Sequence, residues 1–319
     1  MPRRFFIGAV IAFIVLSGTA VQAQEAGITD TTSVSLTVSS LPEAQLTISE
    51  HIIFPLLRGS GPLTSGNNLD LGIIGNVTPI SLDGTVDLTL TPIAFLQVIA
   101  GTTLGSGWNM FLGNGLGLNV PTVEDGNIVG KIEGDPFDGL IWKMYWAGLF
   151  QFDLAAIIPG DWNHVVVQTR QEWNYQANTN AAPDDSWIFK ADDGENRNGF
   201  NYYASYVLGY QMPASPVVKM VAMMAEMDLR LYDKPENRSV FGDDKGRWTI
   251  SSLVNFQFND WLSTNFIIQL RTLRNYTDDG DLPQNKKNKP YYQTRQLYTD
   301  DPLRLDFYRF VAILSFKLR

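Results

Sequence analysis

The sequence predicts an all-β fold: a single antiparallel transmembrane β-barrel of about twelve strands, roughly ten to fourteen, with short turns at one end and long loops at the other. Three observations predict it. In run after run, apolar and polar residues alternate with the period of two of a β-strand. Tryptophan and tyrosine sit near the ends of those runs on the apolar parity, and the connections between runs alternate between short and long.

The chain opens with Arg3 and Arg4, an apolar run from Phe5 to Leu16, and small residues ending in Val21-Gln22-Ala23. This is the pattern of a secretory signal peptide, with cleavage expected after Ala23, so that residues 24–319 form one barrel domain. A retained anchor is the alternative, but the apolar run is short of the roughly 20 residues a spanning helix needs. Beyond it no stretch reaches the roughly 18 consecutive apolar residues of a transmembrane helix, so any crossing must be made by strands.

The strands follow in order. "TTSVSLTVSS", "AQLTISEHIIF" and "NLDLGIIGNV" are three alternating runs, and "SLDGTVDLTLTPIAFLQVIAGTTLG" supplies two more around an expected turn at Thr91 to Ala94. Next, Trp142, Met144, Trp146, Phe150 and Phe152 oppose Lys143, Tyr145, Gln151 and Asp153. After a turn from Ile157 to Trp162, Val165, Val167, Trp173 and Tyr175 oppose His164, Gln168, Arg170, Glu172, Asn174 and Gln176. A further pair splits at Met212 to Pro216. Its first run places Phe200, Tyr202, Tyr206, Leu208 and Tyr210 on one side, and its second sets Met223, Met227, Leu229 and Leu231 against Glu226, Asp228 and Arg230. That second run is rich in Met, Ala, Glu and Lys, so a short amphipathic helix is an alternative there. "RWTISSLVNFQFNDWLSTNFIIQLRTL" gives two strands around Asn259-Asp260, and "RFVAILSFKLR" gives the last.

Connection lengths then orient the barrel. Thr91 to Ala94, Ile157 to Trp162, Met212 to Pro216 and Asn259 to Leu262 are short. Gly105 to Asp138, Ala177 to Gly199, Asp233 to Gly246 and Arg274 to Leu303 are long and hold most of the acidic residues. Short periplasmic turns and long extracellular loops are the expected arrangement. Two connections fit it poorly, since Leu57 to Asn68 is long for a periplasmic turn and Leu41 to Ala44 short for an external loop. Spanning strands must close into a ring, because unpaired backbone groups in hydrocarbon cost several kcal/mol each. The aromatic residues expected in the interfacial girdles are Trp142, Trp146, Trp173, Tyr175, Tyr202, Trp248 and Tyr308. A soluble lipocalin-like barrel also alternates, but leaves these aromatic positions and the loop asymmetry unexplained.

The signal peptide, the alternating strands and the terminal "YRFVAILSFKLR" together resemble the bacterial outer-membrane β-barrel class, porin-like in general design. The resemblance spans nearly the whole chain after the signal peptide and is to the class, not to one family. It implies location in the bacterial outer membrane, with outer-membrane lipid as a partner. The last strand, with Tyr308, Phe310, Leu314, Phe316 and Leu318 in alternate positions, resembles the signal read by the barrel-assembly machinery, which is a second implied partner. That signal commonly ends in an aromatic residue, whereas this chain adds Lys317-Leu318-Arg319.

Composition removes several functions. With 24 basic and 33 acidic residues and a formal charge of −9, the chain is a poor nucleic-acid binder. It has no cysteine, which excludes disulfides, thiolate metal sites and a cysteine nucleophile. Its two histidines, His51 and His164, are poorly placed for catalysis. A lipid hydrolase needs a histidine beside a serine it can activate. His164 has no serine near it, and His51 has only Ser49 on its face. The acidic clusters Asp192 to Asn196, Asp278 to Asp281 and Asp300-Asp301 lack the spacing of a twelve-residue calcium loop and read as solvated loop surface. "LGNGLG" at Leu112 to Gly117 lacks the strand before and helix after that a phosphate-binding loop needs. No catalytic, metal or cofactor site is expected.

What remains is the polar parity, which would project into the lumen: Lys143, Asp153, His164, Arg170, Glu172, Glu226, Asp228, Arg230, Gln269, Arg271, Arg309 and Lys317. Both signs are present on neighbouring strands. Such charges either line a narrow pore or uptake channel for small solutes, or pair and plug the lumen of a structural barrel whose external loops bind a partner. The first is the preferred reading.

Overall fold

A computed structural model describes residues 27–41, 43–110, 113–124, 126–182, 185–190, 196–231, 245–275, 289–290, 298 and 300–318. The expected signal peptide and the acidic clusters at Asp192 to Asn196 and Asp278 to Asp281 lie outside them, apart from Asn196. Twelve strands form a closed antiparallel barrel: β1 Thr29–Ser39, β2 Glu43–Pro55, β3 Asn68–Thr78, β4 Ser81–Ile93, β5 Leu96–Gly107, β6 Ile141–Asp153, β7 Val165–Asn178, β8 Gly199–Gln211, β9 Val218–Arg230, β10 Arg247–Gln257, β11 Leu262–Arg274 and β12 Leu303–Lys317. Every strand pairs with its neighbours in sequence, and β12 closes the ring onto β1 through Ser33↔Lys317 to Val38↔Ala312. Closure satisfies the edges that hydrocarbon would leave unpaired.

Burial alternates along every strand in the sense the sequence implies. On β6 the apolar residues Trp142, Met144, Trp146 and Phe150 are exposed, while Ile141, Ala147 and Leu149 are buried. The exposed parity of β1 to β5 is aliphatic, with Leu36, Val38, Leu46, Ile48, Ile73, Val86, Leu88 and Val98. On β6 to β10 it becomes aromatic. Trp142 packs on Tyr175 at 5.9 Å, Tyr175 on Phe200 at 5.1 Å, Trp173 on Tyr202 at 5.4 Å, and Tyr206 on Trp248 at 6.5 Å. These ring contacts gather outward aromatics within the span of five adjacent strands, β6 to β10, the pattern expected of an interfacial girdle.

One sequence expectation holds against its alternative, and two are corrected. The run after Met212 to Pro216 is strand β9 and not a helix; its Met, Ala and Glu follow the ladder with β8 and β10, which satisfies its backbone across the barrel. The turn expected at Thr91 to Ala94 falls at 94–95, because an irregularity in the β4–β5 pairing between Leu90 and Ile93 carries β4 further. Tyr308 is not in the outer girdle. Gln269 pairs with Arg309 but Leu270 pairs with Phe307, so Tyr308 is the extra residue of a β-bulge. The bulge puts Phe307 outside, against Phe310 at 5.0 Å, and sets the Tyr308 ring 4.7 Å from each of the Arg271 and Arg309 guanidinium groups.

The two ends differ as expected from β4 onward, whereas the β1–β2 and β3–β4 connections, at 40–42 and 79–80, are short at the loop end. At the short-turn end, Asn259 accepts backbone hydrogen bonds from Trp261 and Leu262 at 3.0 and 2.8 Å and closes the β10–β11 turn. Asp153 accepts from the backbone of Ala155 at 3.0 Å and starts the 3₁₀ turn Leu154–Ala156 between β6 and β7. The long connection between β2 and β3 is an ordered loop tied by Asn67, whose amide donates to the carbonyls of Leu57 and Pro92 at 3.0 and 2.6 Å.

At the other end, the loop between β5 and β6 folds back as a hairpin, Leu116–Glu124 with Asn127–Glu133. Trp187–Phe189 joins one edge of it and Lys289–Pro290 the other, so segments of three loops build one small sheet. Trp187, Ile188 and Leu116 are its buried core.

Candidate functional site: the barrel lumen

Register shows which inward side chains share a level. On β8 to β12 the inner wall is layered. One row is charged and polar, with Asn201↔Arg230, Tyr203↔Asp228, Asp228↔Arg247, Thr249↔Arg271 and Gln269↔Arg309. Tyr203 donates to Glu226 at 2.7 Å, and Arg309 donates to Gln269 at 2.6 Å and to Glu43 at 2.5 Å. Nearer the short-turn end the wall is apolar: Val207↔Met224, Ala222↔Leu253, Leu253↔Ile267 and Ile267↔Val311, joined by Met220 and Ile313. Ile99, Ala147 and Leu149 form a second apolar patch on β5 and β6. The sequence reading did not anticipate apolar rows inside the lumen. Each strand contributes only one to three residues to them, a signal visible only once register aligns them.

This β8–β12 wall, with β1 and β2, is tightly packed. Asn265, Ser251, Gln269, Thr47 and Ser49 are all buried, and the Arg309 side chain is 3% exposed. Ser49 hydrogen bonds to Ser33 at 2.7 Å and not to His51, so the one serine considered as a nucleophile has no base.

The wall made by the inward side chains of β2, β3, β4, β6 and β7 is different. Side-chain exposure is 33% at Lys143, 22% at Asp70, 16% at His51 and 14% at Arg170. These groups keep solvent-accessible surface. Lys143 and Arg170 both bind Glu172, at 2.8 and 2.6 Å, and Glu172 also accepts from Asn174 at 3.2 Å. His51 meets Asp70 at 3.1 Å. Between the two groups, Tyr145 donates to Asp87 at 3.2 Å, and its ring lies 5.2 Å from the Lys143 ammonium and 5.8 Å from the Arg170 guanidinium.

Two glycines make this arrangement fit. A Cβ on Gly101 would fall 2.5 Å from the Tyr145 hydroxyl, and one on Gly72 would fall 2.6 Å from the Asp87 carboxylate and 3.3 Å from the His51 ring. A side chain at either place would fill the ground that the tyrosine and the carboxylate occupy.

Of the residues named from the polar parity, Lys143, Arg170 and Glu172 come together at this half-open wall. Glu226, Asp228, Arg230, Gln269, Arg271 and Arg309 belong to the packed wall. Asp153 and His164 pair at 2.7 Å at the foot of β6 and β7, and Lys317 is exposed at the same end. Asp70, Asp87 and Tyr145 were not named as candidates. Asp70 and Asp87 lie in the weakly patterned N-terminal runs, and their alternation with Leu69, Leu71, Val86 and Leu88 was the available signal. At the loop end, Lys190 reaches Asp83 on β4, so the loop sheet is anchored to the inner wall of the barrel.

The architecture is a closed twelve-strand antiparallel barrel. No family profile matches the chain, and no curated protein matches it. Solved structures that resemble it include the KdgM porin, at 7% identity and a TM-score of 0.40 over 91% of this chain and 99% of that one. The NanC porin resembles it at 8% identity and a TM-score of 0.41, over 90% and 100% of the two chains. OmpT, an outer membrane protein of Vibrio cholerae, resembles it at 6% identity and a TM-score of 0.35, over 94% and 100%. The functional reading therefore rests on this barrel's own walls.

Proposed function

We propose that this protein is a bacterial outer-membrane channel, a narrow pore or uptake channel for small solutes, without catalysis or cofactor. The observation that carries it is the unequal packing of the lumen. The β8–β12 wall is closed, whereas Lys143, Asp70, His51 and Arg170 on the opposite side keep solvent-facing surface. The path runs along that side, with the short turns periplasmic and the loop sheet outside. Insertion proceeds through the barrel-assembly machinery, which reads the strand ending in Phe310, Leu314 and Phe316.

The test is single-channel recording of the purified protein in planar bilayers. The channel reading expects discrete conductance steps. Fixed charges beside a path select ions, so Arg170→Glu shifts the reversal potential in a salt gradient toward cations. Arg271→Glu, on the packed wall, leaves it in place and lowers stability instead. A second reading, a structural barrel with a plugged lumen whose loops bind a partner, is favoured by the extent of packing on β8 to β12. A wild type that shows no steps at any voltage supports that reading and overturns the channel.

A further inference from the structure

We infer that the half-open wall is a recognition site for short zwitterions, such as amino acids and dipeptides. This rests on the channel reading and deepens it. The charges of the wall come in two incomplete sets. Lys143 and Arg170 share a single carboxylate, Glu172, so two cations face one anion. On the other side Asp70 and Asp87 flank one imidazole, His51. Asp70 meets it at 3.1 Å, and Asp87 lies beside it over Gly72, so two anions share at most one cation. Asp87 makes no ion pair with Lys143 or Arg170 among the described residues; the Tyr145 hydroxyl, at 3.2 Å, is what it holds.

The surplus positive charge and the surplus negative charge are therefore kept apart by one aromatic ring. They stand on the part of the lumen that remains accessible. A neutral solute gains nothing from either set. A simple anion or cation is drawn to one and repelled by the other. A molecule with a carboxylate and an ammonium a few bonds apart can place its carboxylate against Lys143 and Arg170 and its ammonium against Asp87 and Asp70. Its apolar stem then passes the Tyr145 ring.

The experiment measures swelling of proteoliposomes carrying the wild-type barrel. γ-Aminobutyrate and glycylglycine are compared with xylitol, a neutral solute of similar size, and with ethanolamine and N-acetylglycine, which carry one charge each. The expected preference of zwitterion over xylitol is roughly two- to fivefold, the factor one partly hydrated ion pair contributes. Within each variant, the ratio of zwitterion to xylitol rates falls to about one in Asp87→Asn, which keeps an acceptor for Tyr145, and in Lys143→Gln, which leaves Glu172 paired with Arg170.

Folding of both variants is checked by heat-modifiable electrophoretic migration, and the wild-type comparison stands without them. Xylitol entry with no zwitterion preference, or singly charged solutes entering as fast as zwitterions, overturns this inference and leaves the channel intact. Entry of no solute at all, with no conductance steps, overturns the channel and this inference with it.

Discussion

At the scale of single residues, the half-open wall depends on what is missing as much as on what is present. Gly101 leaves the place where the Tyr145 ring lies, and Gly72 leaves room for the Asp87 carboxylate. Gly101→Ala puts a methyl into that ring, and overpacking of this kind costs about 1–3 kcal/mol. Urea unfolding of the refolded barrel in detergent should show that loss, whereas Gly75→Ala, where a Cβ meets nothing within 4 Å, should be close to neutral. Equal effects of the two substitutions would remove the tyrosine–glycine contact from the account. Lys143 and Arg170 were legible in the sequence as polar-parity residues, but that both bind Glu172 was not.

Elements obey closure of the ring more strictly than they obey propensity. Strand β9 is written with Met, Ala and Glu, good helix formers, yet a lone helix there would leave β8 and β10 with open edges. The ladder wins because pairing with β8 and β10 satisfies the backbone along the whole run and closes the ring. The same reasoning assigns the outer face. Ile268 on β11 is half exposed and opposes the buried Ile267 and Gln269. Ile268→Arg places a charge on the lipid side and should cost roughly 2–4 kcal/mol near the bilayer midplane. A stability unchanged in lipid vesicles would contradict the lipid-facing assignment. In β12 one inserted residue, Tyr308, reverses the parity of everything before it, so Phe307 and not Tyr308 reaches the outer face.

For the whole molecule, the asymmetry of the two ends sets the orientation. Tight turns at 212–217 and 258–261 stand at the end where β12 finishes, while the small sheet contributed by three loops caps the other. Single cysteines at Asp192, Asp243 and Asp279 should therefore react with an impermeant label on whole cells, and cysteines at Ser215 and Asp260 should not. Labelling of the second set from outside would invert the barrel or sink it.

The sequence by itself determined an antiparallel barrel of about twelve strands, the two faces of most of them, and the short and long connections from β4 onward. A period of two is a local property, and each strand records which of its sides faces out of the barrel. Only the tertiary structure decided what stands opposite what. Val207, Leu253, Ile267, Val311 and Ile313 look like lapses in four separate polar patterns, and register makes them one apolar wall. Asp70, Asp87, Tyr145 and Lys143 come from three strands, β3, β4 and β6, and barrel curvature brings them onto one stretch of inner wall. Pairing and packing between strands are set by closure of the ring, so the division of the lumen into a packed wall and a half-open wall is written in no single segment of the chain.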